Sequence, residues 1–299
     1  LDIVRPFQNA GWSMLSAYDN VFPQETGIAS PDFVRALRYC DCLDDGWGGC
    51  QMSGKLFAIG TGPGSSDLIT VRGARVLAGL NVVYTPAARK GGDSLALSIV
   101  REYLPAHVTI KSRHFPMNAD AEAKESAWDT IAGEMAADVR AGAQVGFITL
   151  GDVMLFSTWV FLLARLQGRI PIEIIPGVTS FSCIAARTAF PLAMEQQSMA
   201  VVSCTAEESV LTDALVRHEC VVLMKVYGRF SQVRALLDRL DLLPHALLMS
   251  SASLPDEQCV RRLADLDAEL PLSYFSTILV NKRWLAETGA VPELCTCAE

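Results

Sequence analysis

The sequence predicts an α/β chain of two domains, and three observations carry that expectation. Short apolar runs alternate with longer amphipathic ones from Lys55 onward, the pattern of strands separated by helices. Glycine-rich breaks close several of the apolar runs, at Gly60, at Gly151 and at Pro176-Gly177. The chain has 299 residues, 51% of them hydrophobic and 19% charged, which is enough for two cores of ordinary size.

The elements follow in order. Leu56 to Ile59 is an apolar strand ended by Gly60, and Asp67 to Leu80 has helical spacing, with Ser65, Ser66 or Asp67 as caps. Asn81 to Tyr84 is a strand, Ser94 to Leu104 a helix stopped by Pro105, and Val108 to Arg113 a strand. Ala119 to Ala141 is a helix closed by Gly142, Val145 to Leu150 a buried strand, and Ser157 to Leu166 a helix. A second unit follows Gly168. It opens with a strand at Ile170 to Ile175 and a helix at Thr179 to Ala189. Further strands are expected at Met199 to Ser203, Cys220 to Lys225, Ala246 to Met249 and Tyr274 to Val280. The expected divisions are an extension over 1–51, domains over 52–168 and 169–289, and a tail over 290–299. The mixed composition of 1–51 and the start-like Met52 suggest a non-native extension; an accessory helix or arm is the alternative.

Composition excludes several function classes. A net charge of −8 argues against nucleic acid as a partner, although a cleft can still hold a local basic patch. The longest apolar stretch, Gln144 to Leu166, is broken by Gly151-Asp152, which suits a strand, a turn and a helix better than a membrane span. No basic segment followed by an apolar run opens the chain, so no signal peptide and a cytoplasmic location are expected. Nine scattered cysteines read as reduced thiols. Cys40, Cys42, Cys50, Cys295 and Cys297 have no paired metal-ligand spacing, so no metal site is expected.

Three motifs carry chemistry. The first is Gly60-Thr61-Gly62-Pro63-Gly64, between a strand and a helix, where glycine permits close approach of backbone to a ligand. It is not a dinucleotide fingerprint: Ser65 stands where a third spaced glycine belongs, and no Asp or Glu occurs between Asp67 and Asp93. The second is Leu150 to Thr158, with Gly151-Asp152 at the carboxyl end of a strand, where open α/β sheets bind ligands. The third is Ile175 to Phe181, again strand, Pro-Gly break and helix start. Each alone is compatible with an ordinary turn or helix cap, and their order and spacing are the specific signal.

That order resembles the tetrapyrrole (corrin/porphyrin) methylase family, whose marks are a G-x-G-P-G loop, a G-D-x-x-x-[YF]-S segment and a P-G-[VI]-[TS]-[SA] turn. The resemblance covers about Lys55 to Lys282. Many family members have Pro after the Gly-Asp, where this chain has Val153. Further segments resemble the branch that methylates precorrin-2 at C-20. They are Pro86 with Arg89-Lys90, Phe115-Pro116-Met117, Ser157-Thr158, Met224 to Tyr227, and Tyr274 to Thr277.

The resemblance implies two α/β domains with a cleft between them, a homodimer, a tetrapyrrole substrate and S-adenosyl-L-methionine as methyl donor. It implies that Pro63 lines the cleft, that Leu150, Gly151, Asp152 and Leu155 hold the amino-acid end and ribose of the cofactor, that Thr179 and Ser180 contact it from the second domain, and that Met224 and Ala252 flank the adenine. The activity implied is C-20 methylation of precorrin-2 to precorrin-3A in cobalamin biosynthesis. Open beside it are C-20 methylation of the cobalt-bound factor, another ring position, diphthine synthesis, and a non-catalytic tetrapyrrole-binding module. No Ser-His-Asp or Cys-His set occurs and no general base is named. The substrate's carboxylates call for cations, and Arg89, Lys90, Lys111, Arg113 and Lys225 lie at or near strand ends. Lys90 and Arg113 are the first candidates.

Overall fold

A computed structural model describes residues 54–87, 94–116, 121–267 and 269–287. Expectations for 1–51 and the tail, and the roles given to Arg89, Lys90, Met117 and the terminal cysteines, lie outside the described residues.

The first sheet is wholly parallel. Its strands are β1 (Lys55–Gly60), β2 (Val82–Ala87), β3 (Thr109–His114), β4 (Gln144–Thr149) and β5 (Ile172–Ile175), in the order β3-β2-β4-β1-β5. Helices α1 (Val71–Leu77) and α2 (Leu95–Val100) cover one face, packing on Ile59, Val83 and Ile148. Helices α3 (Ala121–Arg140) and α4 (Trp159–Leu166) cover the other, packing on Leu56, Tyr84, Val145 and Phe147. The apolar stripe of α3 runs Trp128, Ile131, Ala132, Met135, Ala136, Val139, the three-and-four spacing that keeps one helix face on the sheet. Trp159 and Phe147 pack ring to ring, with centroids 5.4 Å apart and both fully buried. Burying side chains of this size stabilises by roughly 1.5–3 kcal/mol each.

Helix starts follow local hydrogen bonding. The segment expected as one helix from Asp67 splits into a 3-10 turn at Ser66–Leu68 and then α1. Thr70 is the α1 cap, its hydroxyl accepting from the Gly73 N–H at 3.0 Å, so none of the three expected caps starts that helix. Ser94 caps α2 as its position suggests.

The second sheet is mixed. It contains β6 (Met199–Ser203), β7 (Cys220–Met224), β8 (Ala246–Ser250), β9 (Gln258–Val260) and β10 (Ser276–Asn281), in the order β6-β7-β10-β8-β9. Only β6 and β7 pair in parallel. Helix α5 (Ser180–Thr188) packs on one face against Val222, Leu247 and Leu279. Helices α6 (Glu208–Arg217) and α7 (Phe230–Arg239) pack on the other against Val221, Leu223 and Ile278.

One expectation is corrected here. The strand at 170–175 does not open the second domain. β5 pairs with β1, Leu56 opposite Ile172, and completes the first sheet. A division near 168 would therefore cut the first sheet, whose last strand ends at Ile175, just before Pro176-Gly177. The reason is the crossover through α4, which returns the chain past β1 before it leaves for the second sheet.

Candidate active site

β1 and β4 are neighbours, yet the helix that follows each lies on the opposite face of the sheet. That makes the gap between their carboxyl ends a topological switch point, the place where open α/β sheets bind ligands. The first and second motifs leave from these two strand ends. The third leaves from β5, on the other side of β1.

The three motifs touch through glycine. Gly62 and Gly151 form an antiparallel bridge, Gly62 N to Gly151 O at 3.2 Å and Gly151 N to Gly62 O at 2.7 Å. A β-carbon on Gly60 would sit 2.6 Å from both Gly151 O and Gly177 N. One on Gly177 would overlap Gly151 O and reach Gly60 C at 2.8 Å. These are backbone atoms, so no side-chain movement relieves the clash.

Gly151 differs from the other two. Its φ is +70°, and nothing lies within 4 Å of where its β-carbon would be. Its bare backbone opens onto free space at the switch point, the arrangement a closely held ligand requires.

Asp152 joins the second motif to the third. One carboxylate oxygen accepts from the Met154 N–H at 2.9 Å, the other from the Gly177 N–H at 2.9 Å. Asp152, which the resemblance places at the cofactor mostly through backbone groups, thus uses its side chain as a strap between loops. Val153, where the family pattern leads one to expect Pro, is fully buried against the α3–α4 layer. Thr179 caps α5, accepting from Ser182 N at 3.4 Å and lying 2.8 Å from the Ser182 hydroxyl. Ser180 is the first residue of that helix.

The second sheet meets this edge. Gly64 is buried, and a β-carbon there would lie 2.8 Å from both Ala252 O and Leu254 Cγ. The Ser65 N–H donates to Ser253 Oγ at 3.0 Å. Pro63, between the Gly62 bridge and this contact, is buried as well. Met224 ends β7 and packs with Ala252, Met249 and α5. From the next residue, the Lys225 ammonium lies 5.6 Å from the centroid of the Phe156 ring, reaching from the second sheet to the second motif. Burial pulls the Lys225 pKa below its ordinary value.

Strained backbone gathers on the same edges. Phe156 (φ 48°), Lys225 (φ 59°), Ser251 (φ 54°) and Ser253 (φ 61°) are left-handed without being glycine. Such residues cost about 1–3 kcal/mol each and concentrate at functional sites. The Lys225 conformation is fixed from both sides: Met224 O accepts from Cys204 N at 2.8 Å and Val226 N donates to Ser276 O at 3.4 Å.

The structure therefore brings Pro63, Gly151, Asp152, Thr179, Met224 and Ala252 to one edge region, with Leu150 and Leu155 in the same loop as Gly151 and Ser180 next to Thr179. It does not leave Arg113 free there. Arg113 Nε donates to Glu134 Oε2 at 2.7 Å and the guanidinium covers the Tyr84 ring at 5.7 Å, on the face shared with α3. Lys111 is held likewise, 2.7 Å from Asp138. Gly60 and Gly177 are read from sequence as strand-ending breaks but not as site residues, and Ser253 is not singled out at all. The first two sit inside the motifs and had a signal; Ser253 had none, because its partner is 188 residues away.

A separate cavity of about 510 Å³ is lined by Arg187, Glu257, Cys259, Arg261, Arg262 and Asp265 among others and includes no motif residue. Its arginines are already engaged: Arg187 with Glu257, Arg262 with Asp265, and Arg261 with the carbonyls of Ala286 and Thr188.

A family model described as Tetrapyrrole (Corrin/Porphyrin) Methylases matches residues 55–267. The chain belongs to the tetrapyrrole methylases. The cobalt-precorrin-2 C(20)-methyltransferase of Salmonella typhimurium is 58% identical to this methylase over 233 residues, 78% of this chain and 98% of that protein. The precorrin-2 C(20)-methyltransferase of a Sinorhizobium species is 27% identical over 236 residues, 76% of this chain and 95% of that protein. Among solved structures, the uroporphyrin-III C-methyltransferase of Thermus thermophilus complexed with S-adenyl homocysteine has a TM-score of 0.56 at 24% identity, covering 77% of this chain and 92% of that one. At that identity the likeness establishes the methylase fold alone.

Proposed function

We propose that this methylase transfers the methyl group of S-adenosyl-L-methionine to C-20 of cobalt-precorrin-2 in cobalamin biosynthesis. The observation that carries the reaction is the glycine junction at the switch point, with the bare Gly151 backbone opening onto free space. The relatives support this choice of substrate. Identity to the cobalt-precorrin-2 enzyme is 58%, against 27% to the precorrin-2 enzyme, which favours the cobalt-bound pigment over the metal-free one.

The residues fit the donor. Gly151 and Leu150 offer backbone at the carboxyl end of β4, Pro63 closes the first loop beside them, and Met224 and Ala252 supply apolar surface from the second sheet. When bound, the donor supplies an electrophilic methyl sulfonium. The protein's part is to fix donor and pigment in line and to keep water out, and positioning of this kind lowers a barrier by roughly 7–11 kcal/mol. Asp152 serves that end by locking the second loop to the third. The same reading includes a cytoplasmic homodimer. No helix among the described residues is long and apolar enough to cross a membrane.

The test is an anaerobic incubation with cobalt-precorrin-2 or metal-free precorrin-2 and methyl-labelled donor, with product mass and label position as readouts. One added methyl at C-20, formed faster on the cobalt pigment, is expected. Label at another carbon, or none on either pigment, overturns the proposal.

A further inference from the structure

Two sequence segments not used by the cofactor site meet in space. Thr277 of β10 lies opposite Met224 of β7, so the turn after β7 and the segment leading into β10 are side by side. Their aromatic rings associate: Tyr227 and Tyr274 have centroids 4.9 Å apart, and Phe275 stands edge-on to Tyr274 at 5.3 Å. All three are exposed, as is Phe156 across the gap, and such rings are ordinarily buried or partnered. Lys225, the residue between Met224 and this cluster, is half-buried with its ammonium over the Phe156 ring. Among the described residues neither an ion pair nor a hydrogen bond engages that ammonium, whereas Lys55, Lys111, Arg113 and Arg165 all have carboxylate partners.

An ammonium partly removed from water and left without a counter-ion is a ready receptor for a carboxylate. Flat exposed aromatic rings beside it suit the face of a large conjugated ring. We propose that Lys225, Tyr227, Tyr274 and Phe275 form the pigment-binding wall, with Lys225 receiving a peripheral carboxylate and the aromatic cluster lying against the macrocycle. This rests on the methylase reading above and deepens it, by moving the carboxylate receptor from Arg113 to Lys225. The left-handed backbone at Lys225 belongs to the device, because it turns the chain out of β7 immediately after Met224. The donor's apolar wall and the pigment's receptor are thereby placed on consecutive residues.

The experiment titrates the full chain with uroporphyrin III, a planar polycarboxylate tetrapyrrole, followed by its visible absorbance, and separately with S-adenosylhomocysteine. K225Q is expected to weaken pigment binding roughly ten- to a hundredfold, with K225R close to the parent. Y274A is expected to weaken it about three- to tenfold, with Y274F close to the parent. Each variant is expected to keep the parent's melting temperature and its affinity for S-adenosylhomocysteine. Unchanged pigment binding in both K225Q and Y274A overturns the proposal, and so does a parent protein that binds no tetrapyrrole. If the parent binds pigment and the variants lose it, but labelled methyl never reaches C-20, the wall stands and the proposed function falls.

Discussion

The two edges that meet at the site are built by different means. The edge of the first sheet is backbone: Gly60 and Gly177 pack so closely on neighbouring main chain that a side chain is excluded, and Gly151, bridged to Gly62, leaves bare backbone facing open space. The edge of the second sheet is side chain: Met224, Lys225, Tyr227 and Tyr274 project from the ends of β7 and β10. Backbone offers every ligand the same donors and acceptors, so the first edge suits a donor molecule common to many reactions. Side chains differ in charge and shape, so the second edge suits selection of one pigment. Under the proposed function, chemistry falls to one wall and specificity to the other, and each wall can be altered without the other.

The largest effect is expected at the glycine junction. Gly177→Ala places a methyl group onto Gly151 O and Gly60 C, where only separation of the loops makes room. Overpacking typically costs 1–3 kcal/mol, and a backbone-on-backbone clash belongs at about 3 kcal/mol or beyond. At roughly 2–4 °C per kcal/mol for a chain of this size, the melting temperature should fall by about 6–12 °C. Binding of S-adenosylhomocysteine, measured calorimetrically, should be lost with it. A variant that melts like the parent shows the three loops to be independent.

Gly151→Asn probes the same wall without breaking it. The free space at Gly151 accepts a side chain, and Asn tolerates a positive φ where a β-branched residue is strained. Stability should change by about 1 kcal/mol or less. Affinity for S-adenosylhomocysteine should fall roughly tenfold or more, because the amide fills ligand space. Equal affinity in a well-folded variant removes Gly151 from the site. Gly151→Val is a poorer probe, since its loss of binding is confounded by loss of stability.

How much of this was legible from sequence divides along the same line. Glycine and proline mark the ends of strands, and strands alternating with helices are visible in the apolar periodicity, so the first sheet and all three motifs could be read. β6 was placed at its observed bounds, Met199–Ser203, because β-branched residues and flanking polar ones delimit it. α7 was not expected, although Phe230, Val233, Leu236 and Leu237 repeat with helical spacing. α6, with a shorter apolar stripe of Leu211, Ala214 and Leu215, was also missed. Strand partnership is beyond reach: nothing in Ile172–Ile175 says that it pairs with a strand more than a hundred residues earlier, so sequence alone assigns it to the second unit. Candidate cofactor residues were legible because they sit in motifs. Lys225 is visible as a cation near a strand end, but its lack of a carboxylate partner among the described residues depends on which residues fold around it.

The smallest expected effect is the one that separates the two walls most sharply from the rest of the surface. Arg113 stands near the carboxyl end of β3, as a pigment receptor should, and by sequence it was the better candidate than Lys225. Its guanidinium is nevertheless paired with Glu134 at 2.7 Å, with about a third of each side chain exposed. A half-exposed pair of this kind is worth about 0.2–1 kcal/mol, because water screens the attraction and ordering two long side chains offsets part of it. Arg113→Ala should therefore lower the melting temperature by no more than about 4 °C. It should leave uroporphyrin binding within about twofold of the parent, since the lost cation was already committed to a carboxylate of α3 and had little charge to offer a second. Measured beside K225Q in one titration, the contrast is direct. If Arg113→Ala weakens pigment binding as much as K225Q does, the Glu134 pair opens for the substrate, and selection of the pigment extends to the first sheet.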